Sequence, residues 1–316
     1  MIILNLKDGL GNQMFEYGFA RFLQTKTQDR LAINNFFFDG KKRRSYSLHH
    51  FALGGDVTVL GRAQQLWYTG CYMVRLFACY PRVMLKWLTS NQRPKDEKTF
   101  AYSSKKGLYV HFNTFHQFEI LPSRKRNKYI YGNYEHYGYI EEVLPQLRRE
   151  FTIRTQPSEA NRRMLEELSG QEAVCVHIRR GDYLSPQWKM LNVCTFDYYQ
   201  RAMDEVARRR PNAVFWIFTN THADVEWIQE NYRFRQPVRY VDLDNPDYEE
   251  LRLMRACRHF VLSNSTFSWW AAVLAEGEDK VVAVPDRWLN NAQNDDTQGL
   301  YLKDWLRIPV EGETTP

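Results

Sequence analysis

Val174-Cys175-Val176-His177-Ile178-Arg179-Arg180-Gly181-Asp182-Tyr183 sits just past the middle of a 316-residue chain. Its apolar half reads as a buried strand, and charge gathers abruptly where that strand ends. In an open parallel sheet, ligands bind outside the carboxyl ends of the strands. A His, two Arg and an Asp delivered there by a turn containing Gly181 suit an anion, because guanidinium groups grip phosphate oxygens with two parallel, charge-assisted bonds. A surface ion pair between Arg180 and Asp182 is the alternative reading.

Toward the C-terminus the pattern alternates between strand and helix. A helix of about Phe196 to Arg209 stops at Pro211, and Val214-Phe215-Trp216-Ile217-Phe218 reads as a strand ending in Thr219-Asn220. A helix near Ala223 to Tyr232, a strand at Val238 to Val241, a helix of about Asp247 to Cys257 and the strand Phe260-Val261-Leu262 follow. This rhythm predicts a parallel sheet with helices on both faces. Directly after the last strand comes Ser263-Asn264-Ser265-Thr266-Phe267-Ser268-Trp269-Trp270. Its Ser and Thr residues are strong N-caps, and the helix they open is predicted to run to about Glu276, with Gly277 as C-cap. A helix N-terminus presents unpaired N–H groups and a partial positive charge, which suits phosphate. Two such strand ends in one domain point to a diphosphate.

Toward the N-terminus, Gln156-Pro157-Ser158 reads as a domain boundary, with a helix from there through Leu168. The expected domains are residues 1–155 and 156–316. The chain opens on the apolar strand Ile2-Ile3-Leu4-Asn5-Leu6, then Lys7-Asp8-Gly9-Leu10-Gly11-Asn12-Gln13, then a helix with Met14, Phe15, Phe19, Phe22 and Leu23 on one face. Strand, glycine turn and helix form a nucleotide-binding-type unit. The dinucleotide fingerprint is incomplete, however, because only two of three glycines are present and Leu31-Ala32-Ile33 ends in Asn34-Asn35 without a ribose-binding acid. The Lys-Lys-Arg-Arg run at residues 41–44 reads as a solvated loop, and so does the polar stretch 91–106. From Leu66 to Leu88 the chain is apolar but interrupted by Arg75, Arg82 and Lys86, with Pro81 bending or ending any helix. A core helix is expected there, and a basic amphipathic helix at a membrane surface is the alternative.

Net charge is +6, a modest excess that suits an anionic ligand or membrane surface without calling for nucleic acid. The five cysteines, Cys71, Cys79, Cys175, Cys194 and Cys257, are odd in number and lack metal-ligand spacing, the pattern of a reduced cytoplasmic protein. No zinc spacing is visible among the His, and Met1 leads almost directly into a strand, with no leader or anchor expected.

Three stretches together resemble the α-1,2-fucosyltransferases, the inverting family that moves L-fucose from GDP-fucose onto galactose. They are GLGNQMFEYGFAR from residue 9, HIRRGDY from residue 177 and LRLMRACRHFVLSNSTFSWWAA from residue 251. GNYEHYGYIEEVLPQLRREFTI, FDYYQRAMDEV and FTNTHADVEW match more weakly, so the likeness runs from residue 1 to about 290. It implies an α/β fold of the GT-B type with two facing Rossmann-like domains, the acceptor held mostly by the first and GDP-fucose by the second. It implies no metal, although Asp242-Leu243-Asp244 spells a DxD, which is read here as a turn at a strand end.

By the same resemblance, Arg179 and His177 contact the β-phosphate, with Arg180 beside them. Asn264, Ser265, Thr266 and Phe267 do so through polar groups and backbone amides. Gly9, Gly11 and Asn12 face the phosphates or the fucose, and Phe218, Thr219 and Asn220 sit where the family holds guanosine. Two departures stand out: Thr221 where a carboxylate is usual, and Glu135 in place of Gln. Inversion calls for leaving-group stabilisation, expected from Arg179 with Asn12, and usually for a base. Asp182, Glu135 and Glu16 are the candidates, and none of them is a further alternative. The expected acceptor is a galactose-terminated oligosaccharide or lipid-linked glycan of a surface polysaccharide or O-antigen, reached from the cytoplasm with peripheral contact to the inner membrane. A protein O-fucosyltransferase-like enzyme and a non-catalytic binder of anionic glycans are the rival readings.

Overall fold

The computed structural model describes residues 1–38, 45–81, 97–112, 115–290, 297 and 299–310, without the side chains of residues 182 and 187. The Lys-Lys-Arg-Arg run, Arg82 and Lys86 lie outside the described residues. The chain divides into two compact units, Met1–Arg154 and Thr155–Pro316.

The first unit carries β1 (Ile2–Asn5), β2 (Leu31–Asn34), β3 (Val57–Val59), β4 (Leu108–His111) and β5 (Lys128–Gly132) in one parallel sheet of order β3-β2-β1-β5-β4. Its helices are α1 (Leu10–Thr27), α2 (Arg62–Cys79), α3 (Glu97–Lys105), α4 (Tyr137–Ile140) and α5 (Leu144–Glu150). Strands β1, β2 and β4 are buried at every position, as a parallel sheet covered on both faces requires. Ile3, Leu108, Val110 and Tyr129 from three strands pack with Tyr72 and Leu76 of α2 in one cluster.

The second unit begins with α6 (Glu159–Ser169), capped by Ser158, whose Oγ accepts from the Asn161 amide at 3.2 Å. Its sheet holds β6 (Ala173–His177), β7 (Val214–Phe218), β8 (Val238–Tyr240), β9 (His259–Val261), β10 (Val282–Pro285) and β11 (Leu306–Ile308) in the order β11-β10-β9-β6-β7-β8, again all parallel. Between them run α7 (Phe196–Arg209), α8 (His222–Asn231), α9 (Asp247–Met254) and α10 (Thr266–Leu274). Tyr198, Tyr199, Met203 and Val206 set the buried face of α7 against Val174, Val176, Phe215 and Ile217 of the sheet.

Several local expectations change. Part of the stretch read as a polar loop forms α3, anchored by buried Phe100, Ser103 and Ser104, and both serine hydroxyls donate to carbonyls three residues back. A single apolar anchor leaves too weak a periodicity to read. The helix after Ser265 stops at Leu274, because Ala275 is already extended. α9 stops at Met254, three residues short of the expected end. The expected apolar helix starts at Arg62 and ends at Cys79, just before Pro81. Arg75 on it turns to the protein: its Nη1 donates to the Asn127 carbonyl at 2.6 Å and its guanidinium lies over Tyr129. No helix among the described residues is long and apolar enough to cross a membrane. All five cysteines are free thiols.

Strand order decides where each unit can bind. In the second sheet the chain steps outward from β6 to β7 and β8, then crosses back and continues outward through β9, β10 and β11. The switch therefore falls between β6 and β9. In the first sheet the chain steps from β1 outward to β3 and returns to β4 and β5, so the switch falls between β1 and β5. Crevices outside the carboxyl ends of strands at such points are where open α/β sheets take ligands.

Candidate functional site

In the second unit the arginine-rich loop leaves β6 and the serine-rich loop leaves β9, so both flank the switch crevice. His177 ends β6, and its Nδ1 lies 2.7 Å from Ser263 Oγ on the β9 side. Burial first, and the Arg179 guanidinium second, pull the His177 pKa down to about 3. At neutral pH the imidazole is uncharged. It holds Ser263 in place and adds no cation to the crevice.

Arg179, half-buried, lies over the Tyr183 ring at 5.2 Å, and the Tyr183 hydroxyl donates to the Asn264 carbonyl at 3.0 Å. The Arg179 loop is thus tied to the serine loop across the crevice. Gly181 turns that loop with a φ of +39°, a left-handed conformation that favours glycine, and lies in ordinary contact distance of Asn220. The ends of β6 and β7 adjoin at this point. Thr219 and Asn220 stand at the end of β7, and Thr219 Oγ1 is buried without a hydrogen-bond partner. An unpaired buried hydroxyl costs about 1–3 kcal/mol, so one at a crevice mouth is a position for a ligand atom.

α10 opens on this crevice. Ser265 holds its N-cap position, and the Ser265 hydroxyl makes no capping bond. Thr266 and Phe267 are half-buried in the first turn, with Phe267 6.2 Å from the His177 ring. The N-terminal amides of α10 and the Arg179 guanidinium therefore belong to one crevice, an arrangement suited to two linked phosphates.

Three predicted residues do other work. Arg180 stacks on Trp227 of α8, 3.2 Å from the ring centroid, and its Nε reaches Asp224 Oδ1 at 3.3 Å. Asp224 is its partner among the described side chains; the expected partner, Asp182, has its side chain outside the described ones. The Asn264 side chain is 1% exposed and donates to the Leu191 and Trp288 carbonyls, both at 2.8 Å, so it shapes the loop. The Phe218 side chain is fully buried in the sheet, and its carbonyl accepts from the Ile178 amide. These contacts occupy the three side chains within the fold and leave the backbone at Phe218 and Asn264 at the strand ends. Thr221, the departure from the family pattern, caps α8: its Oγ1 accepts from the Asp224 amide. In the DxD, the Asp242 carboxylate meets His222 Nδ1 at 2.6 Å, and among the described residues no three His, Cys, Asp or Glu side chains cluster as metal ligands would.

The first unit has its own polar crevice between β1 and β5. Lys7, almost wholly buried just beyond β1, places its ammonium 2.6 Å from Asp8, 3.0 Å from Asn133 Oδ1 and 3.7 Å from Glu16. Asn133 in turn donates to Glu135 at 3.0 Å. Asp8, with φ of +61°, takes the left-handed conformation expected of a glycine, whereas Gly9 at φ −79° is extended. Gln13 braces this turn by donating to the Asp8 and Ser45 carbonyls. Gly132 is needed beneath it: at φ +146° any side chain would strike the His111 backbone. Burial pushes the Glu135 carboxyl up to about 7, with Lys7 and Asn133 pulling it back, and burial raises Glu16 well above the usual carboxylate range. Glu16 Oε1 and Glu135 Oε2 have no hydrogen-bond partner. The structure thus assembles Glu16 and Glu135, two of the candidate bases, around one ammonium. Gly11 is buried and Asn12 half-buried in the first turn of α1, beside this cluster. Sequence reading overlooked Lys7 and Asn133, although a Lys placed immediately after a buried strand was a usable signal.

Comparison with known proteins gives the family and the fold. The model of glycosyl transferase family 11 matches residues 73–309. The α-1,2-colitosyltransferase of Escherichia coli is 25% identical over 98% of this chain and 99% of its own. Galactoside α-(1,2)-fucosyltransferase 1 of Oryctolagus cuniculus is 33% identical over 55% of this chain and 49% of its own. Among solved structures, NodZ α-1,6-fucosyltransferase co-crystallised with GDP superposes with a TM-score of 0.50 at 13% identity, covering 87% of this chain and 92% of its own. That likeness is one of fold, and it sets the two parallel-sheet units in the GT-B class.

Proposed function

Because the chain belongs to glycosyl transferase family 11, a family of fucosyltransferases, we propose that it moves L-fucose from GDP-fucose to the 2-hydroxyl of a terminal galactose. The observation that carries this reading is the switch crevice of the second unit, where Arg179 and the N-terminus of α10 meet across the His177–Ser263 bond. A β-L-fucosyl donor giving an α-linked product inverts at the anomeric carbon, most simply in a single displacement. As the bond to GDP breaks, negative charge grows on the β-phosphate, and preorganised donors aimed there lower the barrier. In this reading Arg179, Ser265, Thr266 and Phe267 supply those donors, and Thr219 and Asn220 border the nucleoside. In the same reading Asn12, Gly9 and Gly11 also serve the donor, and Asp182, Glu135, Glu16 or no side chain at all takes the acceptor proton.

The test is an acceptor screen read by mass spectrometry, with GDP-fucose offered to lactose and to type 1 and type 2 disaccharides. Fucosyl transfer to the galactose 2-hydroxyl is the expected product. Turnover only with a protein acceptor would favour the O-fucosyl reading, and binding without turnover would favour the glycan-binding one. The colitosyltransferase relative makes GDP-colitose the second donor to try.

Nucleotide selectivity is a separate expectation. GDP should raise the melting temperature, whereas UDP, CDP and NAD at equal concentration should hardly move it. Equal stabilisation by UDP would sink the guanosine assignment. The reading also includes metal-independent transfer, because arginine and helix-end amides provide the positive charge. Excess EDTA is expected to leave turnover intact, and a loss restored by manganese would mean that Asp242 and Asp244 had been misread. A cytoplasmic location belongs to the same reading, supported by five free thiols. The acceptor's setting, a surface polysaccharide or O-antigen glycan, completes it.

A further inference from the structure

α2 packs one face on the sheet through Tyr72 and Leu76, and among the described residues none packs on the other. On the uncovered side Leu66 is 53% exposed, Trp67 69%, Val74 70% and Phe77 47%, with Gly70 and Met73 between them. Their spacing of i, i+1, i+4, i+7, i+8 and i+11 is one continuous helical stripe. A patch of this kind on a helix marks an interaction surface more often than scattered surface residues do.

Among the described residues, the loops beside the stripe expose mainly cations. Arg75 binds the Asn127 carbonyl at 2.6 Å, so the loop before β5 lies directly against α2. That loop exposes Arg124, Lys125 and Arg126, and Arg126 shares a shallow hollow with Trp67, Tyr68 and the N-terminus. The loop before β4 adjoins it, since Gly107 lies beside Arg75, Lys125 and Asn127. It contributes exposed Lys105 and Lys106, and next to them Tyr102 is half exposed. The nearby acid, Asp29, is paired with both the N-terminal amine at 3.0 Å and Lys128 at 2.6 Å. These loops precede β4 and β5, so they lie at the amino ends of the strands, opposite the glycine turn that follows β1 at its carboxyl end.

We propose that this face of the first unit docks on a bilayer surface bearing anionic headgroups. The Leu66–Trp67–Val74–Phe77 stripe enters the interface, and Lys105, Lys106, Arg124, Lys125 and Arg126 pair with headgroup charges. Tryptophan, tyrosine and long cationic side chains are the residues that settle at headgroup level, and each nearby cation adds attraction to an anionic leaflet. A second copy of the chain fits less well. A two-fold contact would bring the same five cations to face one another. The inference does not rest on the proposed activity, and its surface shares no residue with either crevice.

The test is co-sedimentation of the full chain with vesicles of phosphatidylglycerol and phosphatidylethanolamine, or of phosphatidylcholine alone. Binding to the anionic vesicles is expected, weakening as salt rises from about 0.1 M to 1 M and the Debye length shrinks from about 10 Å to 3 Å. The Trp67→Ser/Val74→Ser double variant changes only exposed positions and should keep the wild-type melting temperature while binding at least tenfold more weakly. Arg124→Glu/Lys125→Glu leaves the helix untouched and should lose the salt-sensitive part. Wild-type affinity in both variants would overturn the proposal. So would a wild-type dimer that binds no vesicles and that Trp67→Ser/Val74→Ser converts to monomer, because the stripe would then be a self-interface.

Discussion

Arg179→Lys is expected to keep a normal circular dichroism spectrum and melting temperature while kcat falls about a hundredfold or more. The backbone around position 179 is fixed independently of the guanidinium. Ile178 is fully buried beyond the end of β6, the Ile178 amide binds the Phe218 carbonyl, and Tyr183 ties the loop to Asn264. What Lys removes is the planar fork, since an ammonium offers a point charge in place of two parallel bonds. Charge on the β-phosphate rises toward the transition state, so the loss should fall on kcat more than on KM. Removing a donor of this kind typically costs about 3 kcal/mol. Arg180→Lys supplies the contrast. Arg180 lies on Trp227 and Asp224, so its replacement should lower the melting temperature and spare most of the turnover. Near-normal turnover in Arg179→Lys, with loss in Arg180→Lys, would exchange the two roles.

Arg21→Ala should be the most destabilising single change in the first unit, by about 3–5 kcal/mol, the usual cost of breaking a buried ion pair from one side. Arg21 on α1 is 2% exposed. Its Nη2 meets Glu150 at 2.5 Å, its Nη1 meets Asp56 at 2.7 Å and its Nε donates to the Tyr17 hydroxyl at 3.0 Å. Glu150 also accepts from Tyr17 at 2.6 Å and from Gln146 at 3.0 Å. One guanidinium therefore joins α1, the loop before β3 and the end of α5. Without it the Glu150 carboxylate remains buried and loses its counter-ion. Glu150→Gln in the Arg21→Ala background should recover part of the loss, which a double-mutant cycle in urea would measure. A change below about 1 kcal/mol in Arg21→Ala would show that water and Gln146 suffice for Glu150.

Both predictions turn on which cations are spent on the fold, and that was not legible beforehand. Arg21 lies inside the GLGNQMFEYGFAR motif, yet nothing local shows that Glu150, distant in sequence, buries it. Arg179 and Arg180 are adjacent and chemically alike. They diverge because α8 brings Asp224 and Trp227 against the Arg180 guanidinium, whereas Arg179 lies over Tyr183. Asn264 is a polar residue in a motif rich in capping residues, and it is consumed by two carbonyls from loops that lie far away in sequence.

By itself, the sequence determined the parallel α/β character of the chain, most of the helices, and the turns that follow β1, β6 and β9. Local periodicity, prolines and capping residues act over a few positions, and those signals survive in a linear string. The tertiary structure decided the strand order and with it the two switch crevices. It also admitted the strands β3, β4, β5, β10 and β11, and it gathered Lys7, Glu16, Asn133 and Glu135 into one buried cluster. The physical reason is that parallel strands pair through hydrogen bonds between segments tens of residues apart. A buried charge takes its state from whatever those pairings place beside it.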